Sequence, residues 1–220
     1  MNNKKCIIFT GGTKIHAAAF DKAYFENKYI IAADSGCAQL EHLNSHGFGL
    51  VPDLLLGDMD SFGMEKASEK FPNVKFFGFP PEKDYTDTQL AVEIATDNGF
   101  TDIDIIGGTG GRADHFLTNL ALLRKYASNG IKLVICDGKN RIFYFRGGKI
   151  ELPKSENYKY FSILPDGENL CDVSITGAKY ELCDAEIDRD IPITVSNEIT
   201  SEKCSIEIKK GHCFIMQCSD

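Results

Sequence analysis

The feature that most constrains this chain is a recurrence in its first 115 residues. Four apolar runs each pass directly into a cluster rich in Gly, Pro or Asp. Tyr29–Ala33 runs into Asp34-Ser35-Gly36, and Leu54-Leu55-Leu56 into Gly57-Asp58-Met59-Asp60-Ser61. Val74–Phe79 runs into Pro80-Pro81-Glu82-Lys83-Asp84-Tyr85-Thr86-Asp87, and Asp102–Ile106 into Gly107-Gly108-Thr109-Gly110-Gly111-Arg112-Ala113-Asp114. Short apolar runs bounded by turn residues read as strands. Here the strands are Cys6–Phe9, Tyr29–Ala33, Leu54–Leu56, Val74–Phe77, Ile103–Ile106 and Leu133–Cys136. Helical patterns separate them, clearest in Thr88–Asn98 and Asp114–Ala127. In the second, Phe116, Leu120 and Leu123 recur at i, i+4 and i+7 with Leu117 and Ala121 alongside, which predicts one buried face. Strands alternating with helices imply βαβ units and a mostly parallel sheet covered by helices on both faces.

Beyond Asp137-Gly138-Lys139-Asn140 the pattern changes. Arg141–Phe145, Lys149–Leu152, Tyr160–Leu164, Leu170–Ile175, Ile193–Ser196, Ser205–Ile208 and His212–Gln217 are short and bounded by Gly, Pro, Asp or Asn. No helical period interrupts them. Such spacing reads as an antiparallel sandwich or barrel. The expected organisation is therefore an α/β domain over 1–138 and an all-β domain over 139–220.

Composition narrows the partners. The formal net charge of −8 argues against nucleic acid, which needs a basic face. The longest apolar runs fall far short of the roughly 18 residues of a membrane span. No signal-peptide pattern follows Met1-Asn2-Asn3-Lys4-Lys5, so the expected location is the cytoplasm. None of the eight cysteines forms a CxxC pair, and Cys204, His212, Cys213 and Cys218 lack the usual zinc-ligand spacing. Reduced, structural thiols are the expectation.

In an open parallel sheet the carboxyl ends of the strands share one edge, where α/β proteins bind ligands. The four clusters should thus converge, gathering Asp34, Asp58, Asp60, Asp84, Asp87 and Asp114. Carboxylates that close repel one another unless a cation is present. They are hard oxygen ligands suited to Mg²⁺, so an acidic cleft with metal is a plausible phosphoryl-transfer site. Local alternatives exist for each cluster. Asp34-Ser35-Gly36 also reads as a helix N-cap, Thr86-x-x-Gln89 as a capping box, and Arg112 with Asp114 as a surface ion pair. Asp58-x-Asp60 has no obvious capping role. Gly108 to Ala113 matches the G-x-G-x-x-A form of the dinucleotide fingerprint, which keeps an NAD-dependent oxidoreductase open. No P-loop G-x-x-x-x-G-K-[ST] occurs.

Taken in order, Asp34-Ser35-Gly36, Pro52-Asp53-x-x-x-Gly57-Asp58-x-Asp60-Ser61, Asp84-x-Thr86-Asp87 and Gly107-Gly108-x-x-Gly111-Arg112-x-Asp114-His115 resemble the motifs of thiamin pyrophosphokinases. Gly177-Ala178-Lys179-Tyr180 and Val195-Ser196-Asn197-Glu198 resemble that family's second-domain motifs. The resemblance implies an α/β domain followed by a β-sandwich, in a homodimer whose active sites lie between subunits. It implies pyrophosphoryl transfer from ATP to thiamin with Mg²⁺, giving AMP and thiamin diphosphate. Carried over by position, Asp58, Asp60 and Asp87 would bind Mg²⁺, with Asp84 also in the catalytic set. Asp34, Gly36, Gly108, Gly111, Arg112 and Asp114 would surround the nucleotide, and Ser196 and Asn197 would help form the thiamin pocket. Some members place a Trp near thiamin; this chain has none, so any stacking ring is a Phe or Tyr.

The chemistry agrees with the residues. A hydroxyl of thiamin must attack the β-phosphorus of ATP in line, which asks the protein for positioning and charge stabilisation rather than a covalent nucleophile. His115 is expected to orient or support. A metal-dependent nucleotide phosphohydrolase could use the same aspartates with water as acceptor, but would have no need of a second domain.

Overall fold

The computed structural model describes residues 5–58, 66, 67, 69–79 and 84–220; the side chain of Asp58 is outside that description, and so is all of Asp60. The chain divides into two compact units, Met1–Gly138 and Lys139–Asp220.

The first unit is built on six parallel strands: β1 (Lys5–Phe9), β2 (Tyr29–Ala33), β3 (Leu54–Asp58), β4 (Lys75–Phe79), β5 (Asp102–Ile106) and β6 (Lys132–Cys136). Their order across the sheet is β6-β5-β1-β2-β3-β4. The central strands bury both of their faces, as a doubly covered parallel sheet requires. One face holds Ile7, Phe9, Ala32, Leu55 and Ile106 against Cys37, Leu40 and Leu43 of α1 (Gly36–Ser45). The alternate residues Cys6, Ile8, Ile31, Ile103 and Ile105 are fully buried on the other face. There α2 (Asp87–Asp97) contributes buried Ala91, Val92 and Ala95, and α3 (Ala113–Ala127) contributes Leu122, Leu123 and Tyr126.

The expected face of α3 needs correction. Of that face Leu123 is buried and Phe116 and Leu120 are half-buried, but Leu117 is 63% exposed and Ala121 is exposed, and Asn119, Leu122 and Tyr126 point inward with Leu123. The helix carries two adjacent leucine rows, and the packing uses the one beside Tyr126.

The second unit is a pair of antiparallel sheets. One comprises β7 (Asn140–Phe145), β9 (Tyr160–Pro165), β12 (Asn197–Glu198) and β14 (Cys213–Cys218), in the order β12-β9-β14-β7. The other comprises β8 (Gly148–Pro153), β10 (Leu170–Thr176), β11 (Leu182–Ile187) and β13 (Lys203–Lys210), in the order β11-β10-β13-β8. Phe161, Ile163 and Ile215 from the first sheet meet Val173, Ile175, Ile206 and Ile208 from the second in one dry core, the mark of a sandwich.

Two strand expectations fail here. Ile193–Ser196 is turn and bend, because the Thr194 hydroxyl takes the Ile163 carbonyl that a strand neighbour would use, and Ser196 turns left-handed at φ 59°. β11 was absent from the expected strands: its sequence Leu-Cys-Asp-Ala-Glu-Ile is polar, and its ladder with β10 is interrupted by register shifts. All eight cysteines are free, and Cys6, Cys37, Cys136, Cys204 and Cys213 are buried. Among the described residues no helix is long and apolar enough to cross a membrane.

Candidate active site

The sheet order reverses direction at β1. From there β2, β3 and β4 extend one way and β5 and β6 the other. β1 and β5 pair in register up to Phe9 opposite Ile106, so the chains leave both strands side by side and must diverge. That divergence opens a crevice at the carboxyl ends, the general ligand position of such sheets. A cleft of about 480 Å³ lies there.

Four loops line it. Thr10, Gly11 and Gly12 follow β1; Ala33, Asp34 and Ser35 follow β2; Tyr85, Thr86, Asp87 and Thr88 open α2; and Gly108, Gly110, Gly111 and Arg112 follow β5. His115 and Asn119 of α3 close the wall. The residues that make these loops are held mostly by neutral groups. The Thr10 and Thr88 hydroxyls share a buried hydrogen bond of 2.7 Å, tying β1 to α2. Asn119 Nδ2 donates to the Gly108 carbonyl at 3.0 Å, and the Thr109 hydroxyl donates to Asp137.

Asp34 adopts φ 46°, a left-handed conformation that is uncommon outside glycine, and its N–H donates to the Leu56 carbonyl at 2.6 Å. Non-glycine residues held this way concentrate at functional sites. Ser35 makes no side-chain cap on α1, so the N-cap reading of this cluster does not hold. The Thr86 hydroxyl does cap α2, accepting from Gln89 N at 3.2 Å, but the Gln89 amide turns to Glu93 instead of completing a capping box. Asp87 opens the helix, where a carboxylate is favoured by the helix dipole.

Arg112 and Asp114 form a bidentate pair, Nε–Oδ1 3.1 Å and Nη2–Oδ2 2.6 Å. The hydrogen bond from Arg112 holds the Asp114 carboxyl below its usual range and raises the guanidinium correspondingly. Both side chains are exposed, so the pair orients Arg112 at the mouth of the cleft more than it stabilises the fold.

Of the residues expected around the nucleotide, Asp34, Gly108, Gly111 and Arg112 thus line one cleft together with Asp87. Asp114 stands behind Arg112 and does not line the cleft. Gly36 lies buried outside the lining; a Cβ there would sit 2.1 Å from the Phe9 carbonyl oxygen, so packing of α1 on β1 requires glycine. Asp84 is exposed beside the cleft without lining it. Asp58 ends β3 opposite Phe79, with its carboxylate outside the described residues. Asp60 lies wholly outside them. Among the described residues no cluster of three or more His, Cys, Asp or Glu side chains could hold a metal ion. Thr10, Gly11, Gly12, Tyr85 and Asn119 were not expected. Tyr85, 48% exposed, is the single Phe or Tyr among the described lining residues.

In the second unit the two expected motifs come together. Ala178 bridges Ile199, and Lys179 pairs with Glu198 at 2.8 Å. Asn197, 2% exposed, accepts from Tyr180 N at 3.0 Å and Glu198 N at 2.9 Å, and donates to the Tyr180 carbonyl at 2.8 Å. Its amide is engaged with backbone, while Ser196 beside it is exposed and left-handed.

Residues 20–135 match the family model described as thiamin pyrophosphokinase, catalytic domain, and residues 148–213 match thiamin pyrophosphokinase, vitamin B1 binding domain. The chain belongs to the thiamin pyrophosphokinase family. A thiamine pyrophosphokinase of Bacillus subtilis is 33% identical over 173 residues, 78% of this chain and 81% of that one. Among thiamin pyrophosphokinases of known structure, a Bacillus subtilis crystal structure superposes with a TM-score of 0.85 at 30% identity, covering 99% of this chain and all of that one. One from Geobacillus thermodenitrificans gives 0.80 at 27% identity, covering 98% and 97%. Nothing in these comparisons favours an oxidoreductase or a phosphohydrolase. The cleft residues from Ala33 to Asn119 fall within the match to the catalytic domain, and the Asn197 clamp within the match to the vitamin B1 binding domain.

Proposed function

We propose that this chain transfers the pyrophosphoryl group of ATP to the hydroxyl of thiamin, giving thiamin diphosphate and AMP. One observation carries the reading: in a member of the thiamin pyrophosphokinase family, the switch-point cleft brings Asp34, Asp87 and Arg112 together with Gly108 and Gly111. Glycines let the backbone approach phosphates, the N-terminus of α3 favours anions, and Arg112 supplies a fixed charge for the transferring group.

Mg²⁺ fits the donor chemistry, since the carboxylates near these strand ends are hard oxygen ligands. Asp58, Asp60 and Asp87 are the proposed ligands, and the ion would neutralise phosphate charge during transfer. The chain's own residues do the remaining work. Arg112, fixed by Asp114, holds phosphate oxygens; Asp34 and the glycine loop position the nucleotide; Asp84, at the rim, is available to accept the proton of the attacking hydroxyl. Tyr85 offers a half-exposed ring to a heteroaromatic ligand.

Ser196 is the proposed thiamin contact, with Asn197 acting through the backbone it holds. Ile191, Ile193 and Val195 leading to Ser196 are 73%, 66% and 53% exposed, and Tyr180 is 60% exposed. So much apolar surface favours cover by a second copy of the chain, in a dimer that shares its sites. A cytoplasmic location suits the free thiols.

The deciding experiment incubates the protein with ATP, Mg²⁺ and thiamin and follows both products. AMP should appear in step with thiamin diphosphate and only when thiamin is present. Formation of ADP with thiamin monophosphate would sink the reading. Mixing an Asp87→Asn chain with a Ser196→Ala chain should restore part of the activity if one site draws on two subunits.

A further inference from the structure

We infer that Gln39, a residue of α1 that does not line the cleft, is a positioning residue for the nucleotide. It sets the backbone of Gly12–Ile15, the segment that enters the cleft lining at Gly12 and packs against Gly107–Gly111. The inference rests on the proposed reaction for the identity of the ligand, and on geometry for everything else.

Gln39 is 3% exposed, in a helix whose other polar residues mostly face solvent. Its Nε2 donates to the Thr13 carbonyl at 2.9 Å and the Gly12 carbonyl at 3.3 Å, and its Oε1 accepts from Ile15 N at 3.2 Å. Two carbonyls on one side and an N–H on the other admit a single orientation of the amide. The loop it holds has no helix or strand of its own. Thr10 N donates to Ile106 O at one end and His16 N to Asp137 O at the other, both at 2.9 Å. Between those anchors the three Gln39 bonds fix the path.

The path matters because two loops touch there backbone to backbone. A Cβ on Gly12 would lie 2.5 Å from the Gly107 oxygen, and one on Gly110 would lie 2.2 Å from the Thr13 hydroxyl. A shift in Gly12–Ile15 therefore displaces the glycine loop after β5 as well. Both loops contribute glycines to the lining of the cleft, Gly12 from the first and Gly108, Gly110 and Gly111 from the second, and glycine lets a backbone approach a phosphate. Removing the Gln39 amide would leave the N–H of Ile15, which is 3% exposed, without its partner. The loop would then have to move to recover a hydrogen bond.

The test compares Gln39→Met, which keeps the volume and loses all three bonds, with Gln39→Asn, which keeps a neutral amide but draws it back by one methylene from the loop. Either variant should raise the apparent KM for ATP, and weaken AMP binding in titration calorimetry, on the order of tenfold or more. The KM for thiamin should stay within about twofold, since a tenfold change corresponds to about 1.4 kcal/mol and thiamin makes no proposed contact with this loop. A purely structural role would lower the yield of folded protein without separating the two substrates. If Gln39→Met fails to fold, Gln39→Asn carries the test, because it buries no charge and no extra volume. Unchanged nucleotide affinity in the folded variants, or an equal rise in both KM values, overturns the inference. AMP titration needs no turnover, so a wild-type chain that binds AMP but makes no thiamin diphosphate defeats the reaction and leaves the Gln39 test standing. A wild-type chain that binds no adenine nucleotide overturns both.

Discussion

The two edges of the parallel sheet are built on opposite principles. At the amino edge, charges answer one another. Lys5 lies 2.8 Å from Asp104 and 3.9 Å from Asp102, and Lys132 lies 3.4 Å from Asp102. Farther along the strands Tyr24 donates to the same Asp104, with its hydroxyl 3.6 Å from Cys136 Sγ and its ring under the Lys28 ammonium. At the carboxyl edge the scaffolding is done largely by neutral amides and hydroxyls: Gln39, Asn119, Thr10 and Thr88. Charged groups there, Asp34, Asp87 and Arg112, face the cleft. One edge uses its ions for cohesion, and the other turns them toward the cleft, where a ligand is proposed to bind. Mutations should therefore separate stability from activity according to the edge they fall on.

The largest separation is expected at Asp87. In the proposed role of Mg²⁺ ligand, Asp87→Asn should reduce kcat/KM on the order of a thousandfold, because a neutral amide is a poorer ligand and charge stabiliser than a carboxylate. Its thermal midpoint should stay within about 2 °C of the parent, since a helix-terminal carboxylate is worth under about 1 kcal/mol. A melting loss matching the activity loss would erase the contrast between the edges.

The mirror-image variant is Asp104→Asn. Asp104 is 3% exposed and serves both Lys5 and Tyr24, so neutralising it should cost about 2–3 kcal/mol in denaturant unfolding. Activity per folded molecule should remain within about twofold of the parent, because Asp104 does not line the cleft. Loss of activity without loss of stability would show that the amino edge communicates with the cleft.

Alkaline pH probes both edges at once. Burial, with Asp53 and Asp104 adding to it, pushes the Cys6 thiol to about 12, and burial with Glu41 and Asp34 pushes Cys37 to about 11. A thiol whose folded pKa is raised keeps its proton after the unfolded chain has lost its own. Its contribution is complete below the unfolded value near 9 and is lost as pH rises through 11 to 12. At pH 10 each should cost about 1.4 kcal/mol of stability, read as a falling denaturation midpoint from pH 9 upward. A midpoint flat to pH 11 would show that these thiols are not buried in solution.

The smallest effect should come from Lys132→Ala. The lysine is 58% exposed, and its loss should shift stability by less than about 1 kcal/mol. A larger change would mean that the whole amino-edge network acts as one unit.

Much of this was legible in the sequence, and the exceptions have physical causes. The strands of the first unit announce themselves because parallel strands buried on both faces are continuous apolar runs. The acidic and glycine clusters are legible because the chain direction alone puts them at one edge. α1 was not singled out, and Gln39 and Asn119 were missed, since a buried amide on a helix looks in sequence like any surface polar residue. What distinguishes them is a carbonyl or N–H some 11 to 27 residues away, which only the fold supplies. The engagement of Asn197 with Tyr180 was hidden for the same reason, as was the choice between the two leucine rows of α3.

Tyr24 gives the amino edge a further use. Burial, reinforced by Cys136 and Asp104, drives its phenol far above the ordinary range. The chain has eight tyrosines and no tryptophan, so its near-ultraviolet absorbance belongs mainly to phenols. In a titration toward alkali the exposed rings turn to phenolate first, each adding to the absorbance of the ionised form. Tyr24 can join them only once Asp104 has let go of it. The final step of that spectrum is thus a built-in gauge of whether the first unit is still closed, readable without any label.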